Sequence, residues 1–74
     1  MAPQSDRIVS DPDTLGGQPR IQGRRISVLQ IVDEVEGRGD QPHTVADRYD
    51  LSISDVYRAL AYFHEHPEEM ATAR

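Results

Sequence analysis

The stretch from Gly16 to Val28 constrains this chain more than any other. Its thirteen residues include three glycines, one proline and three arginines. Glycine adopts positive φ angles without steric conflict, and proline is excluded from helix interiors. The stretch therefore predicts a rigid, positively charged turn that leads directly into a helix.

The length and composition allow one small domain. A chain of 74 residues buries only about 60% of its unfolded surface. With one Phe, three Tyr, no Trp and no Cys, its core is aliphatic and has no disulfide. Small domains of this kind are commonly stabilised by a partner, so we expect a homodimer or another obligate partner.

We expect a flexible arm over residues 1–6, a domain over residues 7–70 and a C-terminal tail over residues 71–74. The N-terminus is polar and lacks the apolar segment of a signal peptide. No apolar run approaches the ~20 residues that cross a bilayer. These features predict a cytoplasmic protein that does not contact a membrane.

The charge supports two interpretations. The net charge is -5 and every strongly basic residue is arginine. An acidic surface is typical of a protein that binds a basic partner protein. Acidic, lysine-poor surfaces are also typical of a halophile, in whose salty cytoplasm a DNA-binding protein is often net acidic. Composition does not choose between the two.

Local patterns predict a short strand pair followed by three helices. Ser27 with Gln30, and Ser52 with Asp55, have the spacing of capping boxes at helix N-termini. Gly37 is the expected C-cap of the first helix and Asp40 the expected N-cap of the second. The predicted elements are strands over 8–10 and 19–22, helices over 27–36, 41–49 and 53–66, and a last short turn over 67–73.

The apolar periodicity indicates which helix faces are buried. In the first helix, one face carries Val28, Ile31, Val32 and Val35. In the third helix, the buried positions are Ile53, Val56, Ala59, Leu60 and Phe63.

The second and third helices have the layout of a helix-turn-helix, in which the second helix of the pair enters the DNA major groove. The candidate DNA-contacting residues on that helix are Ser52, Ser54, Tyr57 and Arg58. Asp55 opposes this role because a carboxylate repels phosphate, unless it is committed to the helix cap. Any three-helix bundle produces similar periodicity, so a purely structural role remains open.

The three arginines of the glycine-rich stretch form a second candidate site. Arg24 and Arg25 are expected to contact phosphates, although ion pairs with nearby aspartates and glutamates are an equally good explanation. Arg25 is expected to be the more architectural residue. Arg20 and Arg24 are then left for a partner.

The sequence shows no arrangement of residues that is typical of a catalytic site. His64 and His66 are two residues apart, which is wrong for sharing one helix face, and His43 adds no suitable spacing. There is no nucleophile–base pair and no phosphate-binding glycine motif. We expect no enzyme activity, no metal, no cofactor and no small-molecule substrate.

The motifs around the opening stretch resemble the DUF433 family. The resemblance is carried by Gly16-Gly17-Gln18-Pro19 and Gly23-Arg24-Arg25-Ile26, and it extends over about residues 7–70. It implies a short β element and a homeodomain-like three-helix core. It also implies a VapB-like antitoxin that is paired with a PIN-like ribonuclease toxin and represses its own operon.

The resulting hypothesis is a mainly α protein, a dimeric antitoxin-like DNA-binding regulator of a type II toxin–antitoxin system. The residues expected to contact the toxin are Arg20, Glu65, Glu68, Glu69 and Met70. The alternative is an acidic protein-interaction module with no DNA binding. The charge on the exposed side of the third helix distinguishes the two, because dominant acids there exclude DNA.

Overall fold

The computed structural model describes residues 7–73, which form a two-stranded hairpin followed by four helices. The predicted mainly α class with a short N-terminal β element is confirmed. The arm expected over residues 1–6 lies outside the described residues. The elements are β1 (Ile8–Val9), β2 (Arg20–Ile21), α1 (Val28–Val32), α2 (Pro42–Tyr49), α3 (Ile53–Glu65) and α4 (Pro67–Ala73).

The predicted strand pair forms, with strands of two residues each. β1 and β2 are antiparallel, and Ile8 lies opposite Ile21. The chain reverses through a turn in which Gly16 and Gly17 have φ angles of 65° and 86°. Glycine adopts these angles at no steric cost, which explains why this turn is built from glycine.

Both predicted serine caps are confirmed. Ser27 Oγ accepts a hydrogen bond from the backbone N–H of Gln30 over 3.0 Å, and α1 begins at the next residue. Ser52 Oγ accepts one from the N–H of Asp55 over 3.2 Å at the start of α3. Each bond satisfies a backbone donor that has no partner within its helix.

The end of the first helix differs from the prediction. α1 continues into a π-helical segment, Asp33–Gly37, in which the N–H of Arg38 bonds the carbonyl of Asp33 over 2.9 Å. This five-residue spacing defines a π turn. The left-handed residue that follows is Gly39, with φ of 83°, and not Gly37. The C-cap is Arg38, one residue later than the predicted Gly37.

The cap of the second helix was also predicted wrongly. The N-cap is Gln41, which makes no side-chain bond, and Pro42 occupies the first helical turn. The carboxylate of Asp40 instead accepts a hydrogen bond from Arg48 Nη1 over 3.2 Å. Arg48, in the last turn of α2, thus binds the carboxylate that was expected to cap the first turn of that helix.

The core lies between the hairpin and the helices. α1 packs chiefly against α3, and α2 packs against the same helix. Val35, Leu60 and Phe63 are partly buried at its edge. The buried apolar residues are Ile8, Ile21, Ile26, Val28, Leu29, Ile31, Val32, Val45, Ala46, Val56, Ala59 and Met70.

Two apolar side chains lie where the sequence did not place them. Ile53, predicted to be in the core, is 43% exposed. Met70, predicted to contact a partner, is 1% exposed. The partner role of Met70 is therefore wrong, because α4 buries this side chain against the rest of the fold. The helix continues to Ala73, beyond the predicted domain end at residue 70.

Candidate nucleic-acid interface

α2 and α3 are joined by a tight turn. Asp50 adopts the left-handed conformation that ends α2, with φ of 55°. The next N–H, that of Leu51, bonds the carbonyl of Ala46 over 2.8 Å. This bond closes the helix C-terminus in the manner of a Schellman motif. Ser52 then caps α3, so the two helices have the helix-turn-helix layout.

The solvent side of α3 carries four of the residues that matter for the candidate site. Ser54, Tyr57, Arg58 and Ala61 line a shallow depression of about 400 Å³, which we call the α3 outer face. Tyr57 is 53% exposed. Three of the predicted DNA-contacting residues therefore lie on one continuous surface.

Asp55 lies in the first turn of α3 and is buried, with a side-chain exposure of 4%. Arg7 donates two hydrogen bonds to this carboxylate, one from Nε to Oδ1 at 3.1 Å and one from Nη2 to Oδ2 at 2.7 Å. Arg58 Nη1 donates a third bond to Oδ1 over 3.1 Å. We call these three side chains the arginine–aspartate cluster. Its two cations outnumber its one anion.

The cluster changes the electrostatics of the α3 N-terminus. The hydrogen bonds and charge of Arg7, with those of Arg58, lower the pKa of Asp55 against the opposing effect of burial. In turn, the hydrogen bond to Asp55 raises the pKa of Arg7. Asp55 is thus a buried, ionised carboxylate whose negative charge is paired with arginine, and it does not face the solvent. Arg7 was missed from the sequence, because nothing local connects residues 48 positions apart.

In the glycine-rich stretch, Arg24 and Arg25 exchange the architectural and solvent-facing roles that were predicted for them. Arg24 donates to the backbone carbonyls of Asp50, over 3.1 Å, and of Tyr49, so it caps the C-terminus of α2. Arg20 Nη1 donates to the carbonyl of Arg24 over 3.1 Å. Arg25 is exposed, and no partner for it occurs among residues 7–73. Arg24 is the architectural residue, and Arg25 is the one that faces the solvent.

The predicted toxin-contacting glutamates are exposed, unlike Met70. Glu65 ends α3, while Glu68 and Glu69 begin α4. Glu69 accepts a hydrogen bond from the Tyr62 hydroxyl over 2.6 Å. An open groove of about 580 Å³ separates α4 from the turn over residues 15–19, and Glu68 and Glu69 line it. These acids lie at the far end of α3 from the arginine–aspartate cluster.

A second polar cluster braces α2 against the π-helical segment. Glu34 is 8% exposed and accepts hydrogen bonds from Arg48 and from the Tyr49 hydroxyl. Glu34 is not one of the residues of the apolar face of the first helix, but the fold brings two donors to it. A buried carboxylate is stable only when it is paired in this way.

Two further observations limit the chemistry. Within residues 7–73, no three His, Asp or Glu side chains converge in a way that could hold a metal ion. His64 instead pairs with Glu36 over 2.7 Å. No helix in the described part of the chain has the length and apolar character needed to cross a membrane.

The fold and the site together define a small, mainly helical protein that carries a helix-turn-helix pair beside a short hairpin. The chain belongs to the family described as "Protein of unknown function (DUF433)", whose model matches residues 8–63. The resemblance drawn from the glycine-rich stretch is therefore confirmed.

Two curated relatives show the same likeness over part of their length. The "Uncharacterized protein Rv2308" of Mycobacterium tuberculosis is 36% identical over 74% of this chain and 23% of its own length. The "Protein REDUCED CHLOROPLAST COVERAGE 3" of Arabidopsis thaliana is 41% identical over 62% of this chain and 3% of its own length. The chain thus spans less than a quarter of either relative. No solved structure matches it significantly.

Proposed function

We propose that this chain is an antitoxin-like DNA-binding protein that acts as a homodimer in the cytoplasm. It binds operator DNA through α3 and neutralises a PIN-like ribonuclease toxin. The proposal joins two lines of support. One is the helix-turn-helix layout, whose α3 outer face carries uncharged residues and one arginine. The other is what the resemblance to DUF433 proteins implies.

The observation that carries the DNA-binding proposal is the burial of Asp55 and its pairing with arginine. An exposed carboxylate in the first turn of a recognition helix repels phosphate and so opposes DNA binding. Asp55 is buried and bonded to two arginines. The next acid along α3 is Glu65, ten residues further and therefore about 15 Å away along the helix axis. Between them the outer face carries no negative charge.

The residues of this face suit major-groove contact. A recognition helix meets base edges and phosphates with residues near its N-terminus. Ser54 and Tyr57 supply hydroxyl groups there, and Arg58 supplies guanidinium N–H donors, the commonest partners of guanine. Arg25, exposed in the turn between β2 and α1, adds a phosphate contact. Ser52 caps α3, and Arg24 holds the hairpin beside the turn.

The acidic surface suits the second partner. Glu65, Glu68 and Glu69 are grouped at the end of α3 and the start of α4, away from the arginine–aspartate cluster. Separate basic and acidic regions allow one small chain to bind DNA and a protein at once. These three glutamates are three of the 13 acidic residues of the chain, and none of them lies on the α3 outer face.

DNA binding is tested by titrating fluorescent duplex from upstream of the gene with the purified protein at several salt concentrations. We expect affinity to fall as salt rises, because phosphate contacts release counterions. Arg58→Ala should weaken binding about 10-fold, the value of a lost bidentate base contact. Arg38→Ala is the matched control, since it removes an arginine that is 65% exposed and pairs with Asp40 outside the α3 outer face. Absence of binding at low salt refutes the proposal.

The alternative, a protein-interaction module without DNA binding, is favoured by one observation. Ile53 and Tyr57 are the exposed large hydrophobic residues in the described part of the chain, and both lie in the first half of α3. Exposed apolar side chains are typical of protein interfaces. Co-purification with the neighbouring gene product, repeated with Tyr57→Ser, tests it. The alternative is supported if Tyr57→Ser abolishes the complex with the toxin and the unaltered protein binds no duplex.

A further inference from the structure

Leu15 lies in a backbone conformation that leucine rarely adopts. Its φ angle is 53°, in the left-handed region that is an outlier for a bulky side chain. Leu15 is partly buried, yet among residues 7–73 it is not one of the apolar residues that form the core or pack against it. Residues in strained conformations cluster at sites that contact ligands. Packing of the core therefore does not explain a leucine at this position.

Leu15 lines the open groove of about 580 Å³ between α4 and the turn over residues 15–19, which we call the acidic groove. The turn also contributes Pro19 to its lining, and α4 contributes Ala73. These apolar side chains lie on both sides of the groove. Its volume is in the range of sites that bind small ligands, so it can hold a few side chains of a peptide.

The α4 side of the acidic groove is negatively charged. Glu68 and Glu69 are exposed, and they line both the groove and a neighbouring hollow of about 330 Å³, which Glu65 also lines. Among the described residues, no arginine lines either depression. Within residues 7–73, no cation forms an ion pair with any of these three glutamates. Their charge is therefore not neutralised by the described part of the chain.

Glu69 is oriented by a neighbouring side chain. Its carboxylate accepts a hydrogen bond from the Tyr62 hydroxyl over 2.6 Å, and a carboxylate has lone pairs for further donors. A side chain that is already oriented loses less entropy when it binds a cation. The helix dipole also favours acids at the start of α4, but that effect does not require an apolar groove beside them.

We propose that the acidic groove binds an extended segment of a partner protein in which arginine or lysine side chains flank an apolar side chain. The cations pair with Glu68 and Glu69, and the apolar side chain contacts Leu15. Negative charge repels phosphate, so the occupant is a peptide and not a nucleic acid. The proposal deepens the toxin-binding part of the proposed function and rests on it.

The groove is tested directly with two synthetic peptides, acetyl-Gly-Arg-Leu-Arg-Gly-amide and the same peptide with glutamate in place of each arginine. The amide resonances of the isotope-labelled protein are followed during each titration. We expect the basic peptide to shift the resonances of Gly16, Gly17 and Thr72, and the acidic peptide to shift none of them. Absence of shifts with the basic peptide, or equal shifts with both peptides, overturns the proposal.

The carboxylates are tested by comparing two double variants, Glu68→Gln with Glu69→Gln, and Asp47→Asn with Asp50→Asn. The second pair removes two exposed acids at the end of α2 that do not line the groove, so both proteins have the same net charge. Calorimetry measures their affinity for the neighbouring gene product. We expect the glutamate variant to bind about 10-fold more weakly, since it loses two ion pairs, and the control to bind like the unaltered protein.

Leu15→Asn separates binding from folding. Asparagine adopts the left-handed conformation more readily than leucine, so we expect the Tm of the variant to be no lower than that of the unaltered protein. Loss of the apolar contact should weaken binding to the neighbouring gene product about threefold. A lower Tm with unchanged affinity shows that Leu15 serves the fold, and it overturns the role of Leu15 in the groove.

The proposed function and the acidic groove are refuted by different results. If the neighbouring gene product does not bind the unaltered protein, the proposed toxin partner is wrong, and the peptide titration alone decides the groove. If the gene product binds the unaltered protein and both double variants equally, only the groove is overturned.

Discussion

Arg24 donates a hydrogen bond from Nη1 to the backbone carbonyl of Asp50 over 3.1 Å, which ties the hairpin to the turn between α2 and α3. Its second amino group bonds the carbonyl of Tyr49. The last carbonyls of a helix have no partner within it, and a cation is favoured at this end by the helix dipole. A residue from the glycine-rich stretch thus completes the helix-turn-helix.

Arg24→Ala and Arg25→Ala are adjacent, charge-matched substitutions with opposite expected effects. Loss of the Arg24 bonds should destabilise the fold by about 1 kcal/mol, or roughly 4–8 °C in Tm. Arg25→Ala should leave Tm within about 2–4 °C, as is usual for exposed residues, but weaken DNA binding. Thermal melts followed by circular dichroism measure the first effect, and the duplex titration measures the second. Equal Tm values for the two variants contradict the capping role of Arg24.

The ion pair between Arg7 and Asp55 makes stability depend on pH in the acid range. The pKa of Asp55 is lowered in the folded protein, chiefly by its hydrogen bond with Arg7. The stabilisation is therefore complete above the pKa of an unfolded aspartate, about 3.9, and it is lost as the pH falls below that value. At neutral pH we expect Asp55→Asn to lose about 1–2 kcal/mol, since solvent screens the half-exposed Arg7.

Urea unfolding of Asp55→Asn and the unaltered protein between pH 7 and pH 2.5 measures this effect. The difference in unfolding free energy should be constant above about pH 5 and shrink as the pH falls below about 4. Asp47→Asn, which removes an exposed carboxylate from α2, is the control and should show little difference at any pH. A difference that grows on acidification rules out the pairing.

Met70 tests whether α4 belongs to the domain. Its side chain is 1% exposed and packs in the main core. Met70→Ala should cost about 2–5 kcal/mol through lost burial and a cavity. Met70→Leu, which nearly conserves volume, should cost less than about 1.5 kcal/mol. Urea unfolding at neutral pH compares them. If both variants unfold at the urea midpoint of the unaltered protein, α4 does not contribute to the core.

Tyr62 should titrate at unusually high pH. Burial, followed by the hydrogen bond and charge of Glu69, raises the pKa of its hydroxyl to about 12. Because the folded pKa exceeds the unfolded value of about 10, this group stabilises the fold fully below pH 10 and loses that contribution between pH 10 and 12. Subtracting the absorbance titration at 295 nm of Tyr62→Phe from that of the unaltered protein isolates the step. Glu69→Gln should move the step to lower pH, and a step that already lies near pH 10 contradicts the prediction.

The features that the sequence predicted well are those decided within a few residues. Ser27 and Ser52 each bond a backbone N–H three positions further along the chain, so their role follows from spacing alone. The strand pair was predictable for a similar reason, because the residues between the strands include glycines that permit a sharp reversal. The family assignment rested on the same local motifs.

The features that the sequence did not predict are pairings between distant charges. Arg7 lies 48 residues from Asp55, and Arg24 lies 26 residues from Asp50. Glu34 finds its partners 14 and 15 residues away. Each of these side chains is equally well satisfied by water in an unfolded chain, so composition and periodicity carry no signal for the partner it takes.

The sequence by itself therefore determined the strand pair, the positions of the first three helices, two caps and the family. Only the tertiary structure decided that Arg24 is a cap, that Arg25 is exposed and that Asp55 is buried beneath two arginines. The reason is physical. Secondary structure follows from backbone sterics and local hydrogen bonds, whereas the partner of a charged side chain is set by which elements the apolar core brings together. In this protein the sequence left Asp55 as a carboxylate that opposes phosphate contact, and the fold pairs it with Arg7 and Arg58.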